Sequence, residues 1–172
     1  RRMEPSLTFD ITSDARGALT GADYIITTIR AGGDAGRLFD EKTCLAHGVL
    51  GQETTGAGGF AMAIRSVPTL VYYCTLAREV SNPGHLIFNF TNPSGIITQA
   101  LRSCGFANVY GICDAPSGML HQFADLYGVS ADRIVGECYG LNHLSFFRSI
   151  KIDGKEIMPE LISRDDAYRE TD

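Results

Sequence analysis

The sequence predicts an α/β protein built on a doubly wound parallel sheet, and three observations carry that prediction. Segments rich in β-branched and aromatic residues alternate with segments of helical period along most of the chain. The strand-like runs at 23–30 and 86–90 are apolar nearly throughout, as strands covered on both faces are. Polar residues collect where these runs end (Arg30 to Gly33, Asn89 to Pro93, Cys113-Asp114), and ligands of such sheets bind beyond the carboxyl ends of the strands.

In chain order, residues 7–12 read as a short strand, and Ser13 is a fit N-cap for a brief helix ending at Thr20-Gly21. Residues 23–30 form the next strand. A polar, glycine-rich connection runs from Ala31 to about Gly59, with 36–46 helical in character. Residues 61–80 carry apolar side chains at Ile64, Val67, Leu70, Val71 and Cys74, a helical period in which Pro68 demands a first-turn position or a kink. Asn82-Pro83-Gly84 stops that helix. A strand at 86–90 leads through Asn92-Pro93 into a helix over 94–103, and a strand at 109–113 leads into a helix from Asp114 to Tyr127, closed by Gly128. Strands are expected at 134–139 and 145–152, a hairpin turn at Asp153-Gly154, a last helix over 156–162 and a frayed tail over 163–172.

Length and composition bound the function. At 172 residues the chain suits one domain, and a chain of this size buries roughly two-thirds of its unfolded surface without disulfides. Its 44% hydrophobic and 20% charged residues exclude a disordered segment. Fifteen basic against 20 acidic residues leave a net charge of −5, which argues against a nucleic-acid partner. No uninterrupted apolar run approaches the roughly 20 residues of a membrane span, so no membrane partner is expected. Residues 1–5 lack the apolar core of a signal peptide. The five cysteines are an odd number with no C-x-x-C pair, a pattern of reduced thiols in a cytoplasm, most of them buried as small hydrophobes.

Some residues could carry chemistry, each with a plain alternative. Cys113 at a strand end and His143 thirty positions later suit a borderline-soft divalent metal, with open positions left for water or substrate oxygens. Equally, Cys113 is a strand residue and His143 a turn residue. Asp114 is either an N-cap or, beside a metal ligand, a general acid. Arg30 and Arg37 flank Gly32-Gly33, a pattern that lets backbone and guanidinium approach a phosphate, or simply a solvated loop. The loop from Gly51 to Gly59, with Gln52 and Glu53, is a second glycine cluster, and such clusters mostly mark turns. Asn92, extended by the following proline, holds its amide out from a strand end. His47, His85 and His121 show no partners in sequence.

Taken together, these segments resemble glycoside hydrolase family four, the NAD- and metal-dependent 6-phosphoglycosidases. The resemblance rests on Ile29-Arg30-Ala31-Gly32-Gly33 with Arg37 and Asp40-Glu41, then Gly48-Val49-Leu50-Gly51-Gln52-Glu53-Thr54 and Gly56-Ala57-Gly58-Gly59. Asn89-Phe90-Thr91-Asn92-Pro93, Gly111-Ile112-Cys113-Asp114-Ala115-Pro116 and Tyr139-Gly140-Leu141-Asn142-His143 complete it, so that it covers most of residues 7–155. It implies a dehydrogenase-like Rossmann domain over 1–143 and the start of a substrate domain over 144–172. By the same resemblance Cys113 and His143 are the metal ligands, usually for Mn2+, and Asp114 is the general acid, a residue type that leans towards the α-anomer. Arg37 and Asn92 contact the phosphorylated sugar; Ile29, Arg30, Gly32, Gly33, Gln52 and Glu53 line the cofactor side.

The implied reaction is not two-carboxylate hydrolysis. It oxidises C3 of a 6-phospho-glucoside with NAD, uses the metal as a Lewis acid to acidify the C2 proton, eliminates at C1, adds water and returns the hydride. Phosphorylated disaccharides or glucosides are the implied substrates, and a homo-oligomer is expected of the full-length enzyme.

The family's glycine-rich phosphate turn and its tyrosine base find no match here, so the chain is expected to be an interior piece of a longer enzyme, inactive and weak in NAD binding alone. With 7–12 and 23–30 as strands three and four of a 3-2-1-4-5-6 sheet, the sheet would lack its centre. A lactate- or malate-type dehydrogenase relative, or a non-catalytic fragment, are the competing readings.

Overall fold

The structure, a computed structural model, describes residues 7–164. Its first sheet holds three parallel strands, β1 (Tyr24–Thr27), β2 (Leu86–Asn89) and β3 (Val109–Gly111), in that spatial order. The crossovers are α2 (Gly33–Ala46) with α3 (Gly56–Val80) between β1 and β2, and α4 (Ser94–Ser103) between β2 and β3; a short α1 (Ala15–Leu19) precedes β1. Parallel strands joined through helices make the Rossmann-like α/β class that the alternating pattern predicts.

The core of this layer follows from strand parity. Ile25, Ile87 and Val109 fall on one face and meet Leu70, Cys74 and Ala77 of α3, Ile97 and Leu101 of α4, and Phe106. The opposite face carries Tyr24, Ile26, Phe88 and Tyr110, with Tyr24 stacked on Phe88 and Phe88 tilted against Tyr110. Tyr24 is 71% exposed and Ile26 65%, so among the described residues helices cover one face, where the apolar run had predicted cover on both. The run is apolar on its second face without a layer of the described residues lying on it.

The expected strand at 7–12 is not formed. A strand needs a neighbouring backbone to take its hydrogen bonds, among the described residues β1 pairs only with β2, and Leu7, Phe9 and Ile11 stand exposed. α1 starts after Asp14, one residue beyond the expected Ser13 cap. β1 is also shorter than the apolar run: Thr28 to Arg30 already belong to the turn that enters α2.

By length and composition α3 is the one described helix that could cross a membrane, contrary to the count of uninterrupted apolar residues. Here it is a core helix, burying Met62, Ala63, Leu70, Cys74, Leu76 and Ala77. It continues through Pro68 in mid-helix. Of the cysteines, Cys44 and Cys74 are buried, Cys113 is half-buried, and Cys104 and Cys138 are exposed, so fewer are core residues than expected; all five are unpaired. Burial pushes the Cys74 thiol up to about 11, which leaves it an inert packing group.

A second layer follows. α5 (Ala115–Leu126) packs on an antiparallel sheet of β4 (Ile134–Leu141), β5 (Leu144–Ile152) and β6 (Lys155–Glu156), closed by α6 (Met158–Ser163). Ala124, Ile134, Ile150, Ile157 and Leu161 form its core. Asp153-Gly154 makes the tight β5–β6 turn that the sequence predicts, both residues having positive φ. β4 and β5 are joined by the two residues Asn142-His143, so one hairpin crosses position 143. The expected frayed tail lies outside the described residues beyond Arg164.

Candidate functional site

The carboxyl ends of β1 and β2 are tied together by the side chain of Asn89, a fully buried amide, and its backbone carbonyl accepts from the Ile112 N–H just past β3 at 3.0 Å. Its Oδ1 accepts from the Thr27 hydroxyl at 2.9 Å and from the Thr91 N–H at 3.2 Å. Its Nδ2 donates to Thr98 Oγ1 at 3.1 Å and to the Thr91 carbonyl at 3.3 Å. Thr91 Oγ1 in turn accepts from the Ile29 N–H at 2.9 Å, and Ser94 Oγ donates to the Asn89 carbonyl at 3.1 Å. A buried polar group must find partners, and here those partners fix the segments from which Ile29, Asn92 and Cys113 project.

Beyond β3 the chain turns at Cys113, and its Sγ lies 3.6 Å from Nε2 of His143 at the β4–β5 tip. Two ligands held at zinc-type S and N bond lengths at a tetrahedral angle lie about 3.6 Å apart. The donor pair therefore has the bite for one divalent ion. His143 takes φ +60, a left-handed conformation that a non-glycine residue adopts at some cost. Within the described residues no third His, Cys, Asp or Glu joins them.

Asp114 starts α5, yet its side chain makes no capping bond; it is exposed and its carboxylate is spent on no partner among the described residues. The N-cap alternative thus loses its hydrogen bond. Asn92 likewise has no side-chain partner among the described residues, and the Asn92–Pro93 bond is cis.

The arginines form a second grouping. Glu53 Oε2 accepts from Arg30 Nη1 at 2.7 Å and pairs with Arg37 Nη1 at 3.1 Å; Arg37 Nε also donates to Glu41 at 2.8 Å. These partners, Glu41 first and then Glu53, hold the Arg37 guanidinium above its usual range. Gly32, at φ +83, caps α2, and Gly33 N–H donates to the Arg30 carbonyl at 3.0 Å. A side chain added at Gly33 would meet nothing within 4 Å, so the start of α2 is open.

Gln52 is spent locally: its Oε1 accepts from the N–H and hydroxyl of both Thr54 and Thr55, organising the entry to α3. Gly58 explains its own place there, since a Cβ would come within 2.5 Å of the Gln52 carbonyl. The loop is glycine-rich because backbone packs on backbone.

The structure thus brings Cys113 to His143, and Arg30 and Arg37 to Glu53. Sequence reasoning missed Asn89 as a hub and the Asp40–Arg65 ion pair, whose partners lie on different helices. It also missed partners for two histidines: His85 Nδ1 meets the Asn82 carbonyl at 3.0 Å and His121 Nδ1 the Ser117 carbonyl at 2.7 Å.

The family model described as "Family 4 glycosyl hydrolase" matches residues 1–129. The chain is 37% identical over 148 residues to the 6-phospho-beta-glucosidase BglT of Thermotoga maritima, covering 86% of this chain and 35% of that one. It is 37% identical over 165 residues to 6-phospho-alpha-glucosidase 1 of Lacticaseibacillus paracasei, covering 94% and 37%. The crystal structure of the Thermotoga maritima 6-phospho-beta-glucosidase with manganese, NAD+ and glucose-6-phosphate superposes with a TM-score of 0.82 at 36% identity, over 87% of this chain and 37% of that one. The chain spans about a third of the length of the curated relatives it matches. A family match over three-quarters of its residues, on the same fold as solved relatives, leads to one conclusion: this chain belongs to glycoside hydrolase family 4.

Proposed function

We propose that the protein hydrolyses 6-phospho-glucosides with NAD and a divalent metal, Mn2+ by preference, through oxidation, elimination, addition of water and reduction. The observation that carries this reading is the meeting of Cys113 Sγ and His143 Nε2 at 3.6 Å from two separate sheets. A dehydrogenase of the lactate or malate type has no use for that pair. Bound NAD would supply a reversible hydride acceptor for the sugar, and the bound metal a Lewis acid.

The chain's own residues then have distinct tasks. Cys113 Sγ and His143 Nε2 would hold the ion. Arg37, held in place by Glu41 and Glu53, grips the 6-phosphate, and a guanidinium can do so with two parallel hydrogen bonds. Asn92, with its amide uncommitted, orients the sugar. The Asp114 carboxyl hands a proton to the departing glycosidic oxygen, and its presence favours α-linked substrates. Arg30 and the open turn at Gly32-Gly33, with Ile29, Gln52 and Glu53 behind them, line the cofactor side. The five unpaired thiols favour a reducing, cytoplasmic setting.

Calorimetric titration with Mn2+ tests the reading. Binding in the wild type and its loss in Cys113→Ser support it; equal binding in both removes its basis.

A further inference from the structure

We propose that Asp40 and Arg65 form a positioning pair that sets the orientation of α2, and through it the phosphate-gripping Arg37; the role rests on the 6-phospho-glucoside reading above. α2 is not held by apolar packing. Its buried residues are only Asp40 and Cys44, whereas Leu38, Phe39 and Leu45 are half or more exposed. The helix packs against α3, and the polar tie between the two is Arg65.

That one guanidinium touches α2 along its first two turns. Nη1 donates to Asp40 Oδ1 at 2.9 Å and Nη2 to Asp40 Oδ2, the two-pronged geometry that only arginine offers a carboxylate. Nε donates to the Ala31 carbonyl at 3.3 Å, in the turn that enters the helix. The same group lies against Gly32 and Gly36, where an added Cβ would meet it at 3.0 and 3.4 Å. Asp40 is 6% exposed, so its charge has little water to turn to if Arg65 is lost. Arg37 sits on α2 between Gly36 and Asp40, the two positions this contact fixes. A shift of α2 would therefore carry Arg37 with it, and misplacement by about 1 Å is enough to cost on the order of a hundredfold in a positioned site.

Calorimetry on the intact protein tests this with glucose 6-phosphate and, separately, Mn2+ as probes. Arg65→Lys keeps the charge and loses the fork; Asp40→Asn keeps the shape and loses the charge. Both are expected to weaken glucose 6-phosphate binding about tenfold or more, with Mn2+ affinity within about twofold of wild type. Because Arg65 acts through Arg37, Arg65→Lys should add almost nothing to Arg37→Gln, a non-additivity that a general loss of fold would not give. Circular dichroism identifies any variant that does not fold, and the other member of the pair then decides. The proposal is overturned if Arg37→Gln is impaired while Arg65→Lys and Asp40→Asn bind like wild type, or if the effects add in full. If Arg37→Gln itself binds normally, the phosphate role of Arg37 falls, and the positioning role with it.

Discussion

Asn89→Ala removes the amide that joins the ends of β1 and β2 to the turn into α4, and the structure sets the size of the effect. Two donors lose their acceptor: the Thr27 hydroxyl at 2.9 Å and the Thr91 N–H at 3.2 Å, in residues only 7% and 2% exposed. A buried donor left unpaired costs about 1–3 kcal/mol, so the two together predict a loss of about 2–6 kcal/mol. Against a typical domain stability of about 5–15 kcal/mol that is a large share. Thr27→Val is the control, because it deletes one spoke and leaves the hub, and about 1 kcal/mol is expected. Urea unfolding measures both. The same variant should weaken Mn2+ binding, since the Thr91 N–H and carbonyl lose the amide that holds the segment after β2 in place. If Asn89→Ala costs no more than Thr27→Val, the hub does not organise the strand ends and the reasoning fails.

The remaining predictions concern the second sheet. At His143 the left-handed backbone separates stability from function: Asn tolerates φ +60, so His143→Asn should leave unfolding within about 0.5 kcal/mol while Mn2+ binding is lost. His143→Val, β-branched at the same φ, should cost about 1–2 kcal/mol; equal stability of the two variants would refute the strained turn. Glu156 carries a pH dependence. The Ser149 hydroxyl, then the N–H groups of Met158 and Ile150, donate to its carboxylate and hold its pKa below the usual range. A lowered folded pKa stabilises the fold above the ordinary carboxylate range, and that stability is lost as pH falls through the folded value. Glu156→Gln should flatten the acid limb of the stability profile; an unchanged limb counts against the interaction.

Local signals made much of this fold legible. α4 falls where Asn92-Pro93 and the apolar period put it, and Asp153-Gly154 turns because both residues accept positive φ. What stayed hidden depends on distant chain. The run at 7–12 has the composition of a strand, but pairing is decided by a neighbour, and none of the described residues supplies one. His143 reads as a turn residue between two expected strands, and it does sit in the β4–β5 turn, but its left-handed backbone carries no signal in the sequence. At the site, the identity of Cys113 and His143 was readable while their meeting was not, since it depends on how two sheets pack. Asp40–Arg65 has no sequence signature at all: its partners are 25 positions apart on two helices. Gln52 shows the reverse case, a residue in a motif whose oxygen turns out to be fully used by its own loop.

X-ray absorption at the manganese edge reads the ligands directly. One sulfur and at least one imidazole nitrogen around Mn2+ in the wild type, with the sulfur gone in Cys113→Ser, is the predicted result. A shell of oxygen atoms alone, the same in both proteins, would contradict the metal-binding role of Cys113 and His143.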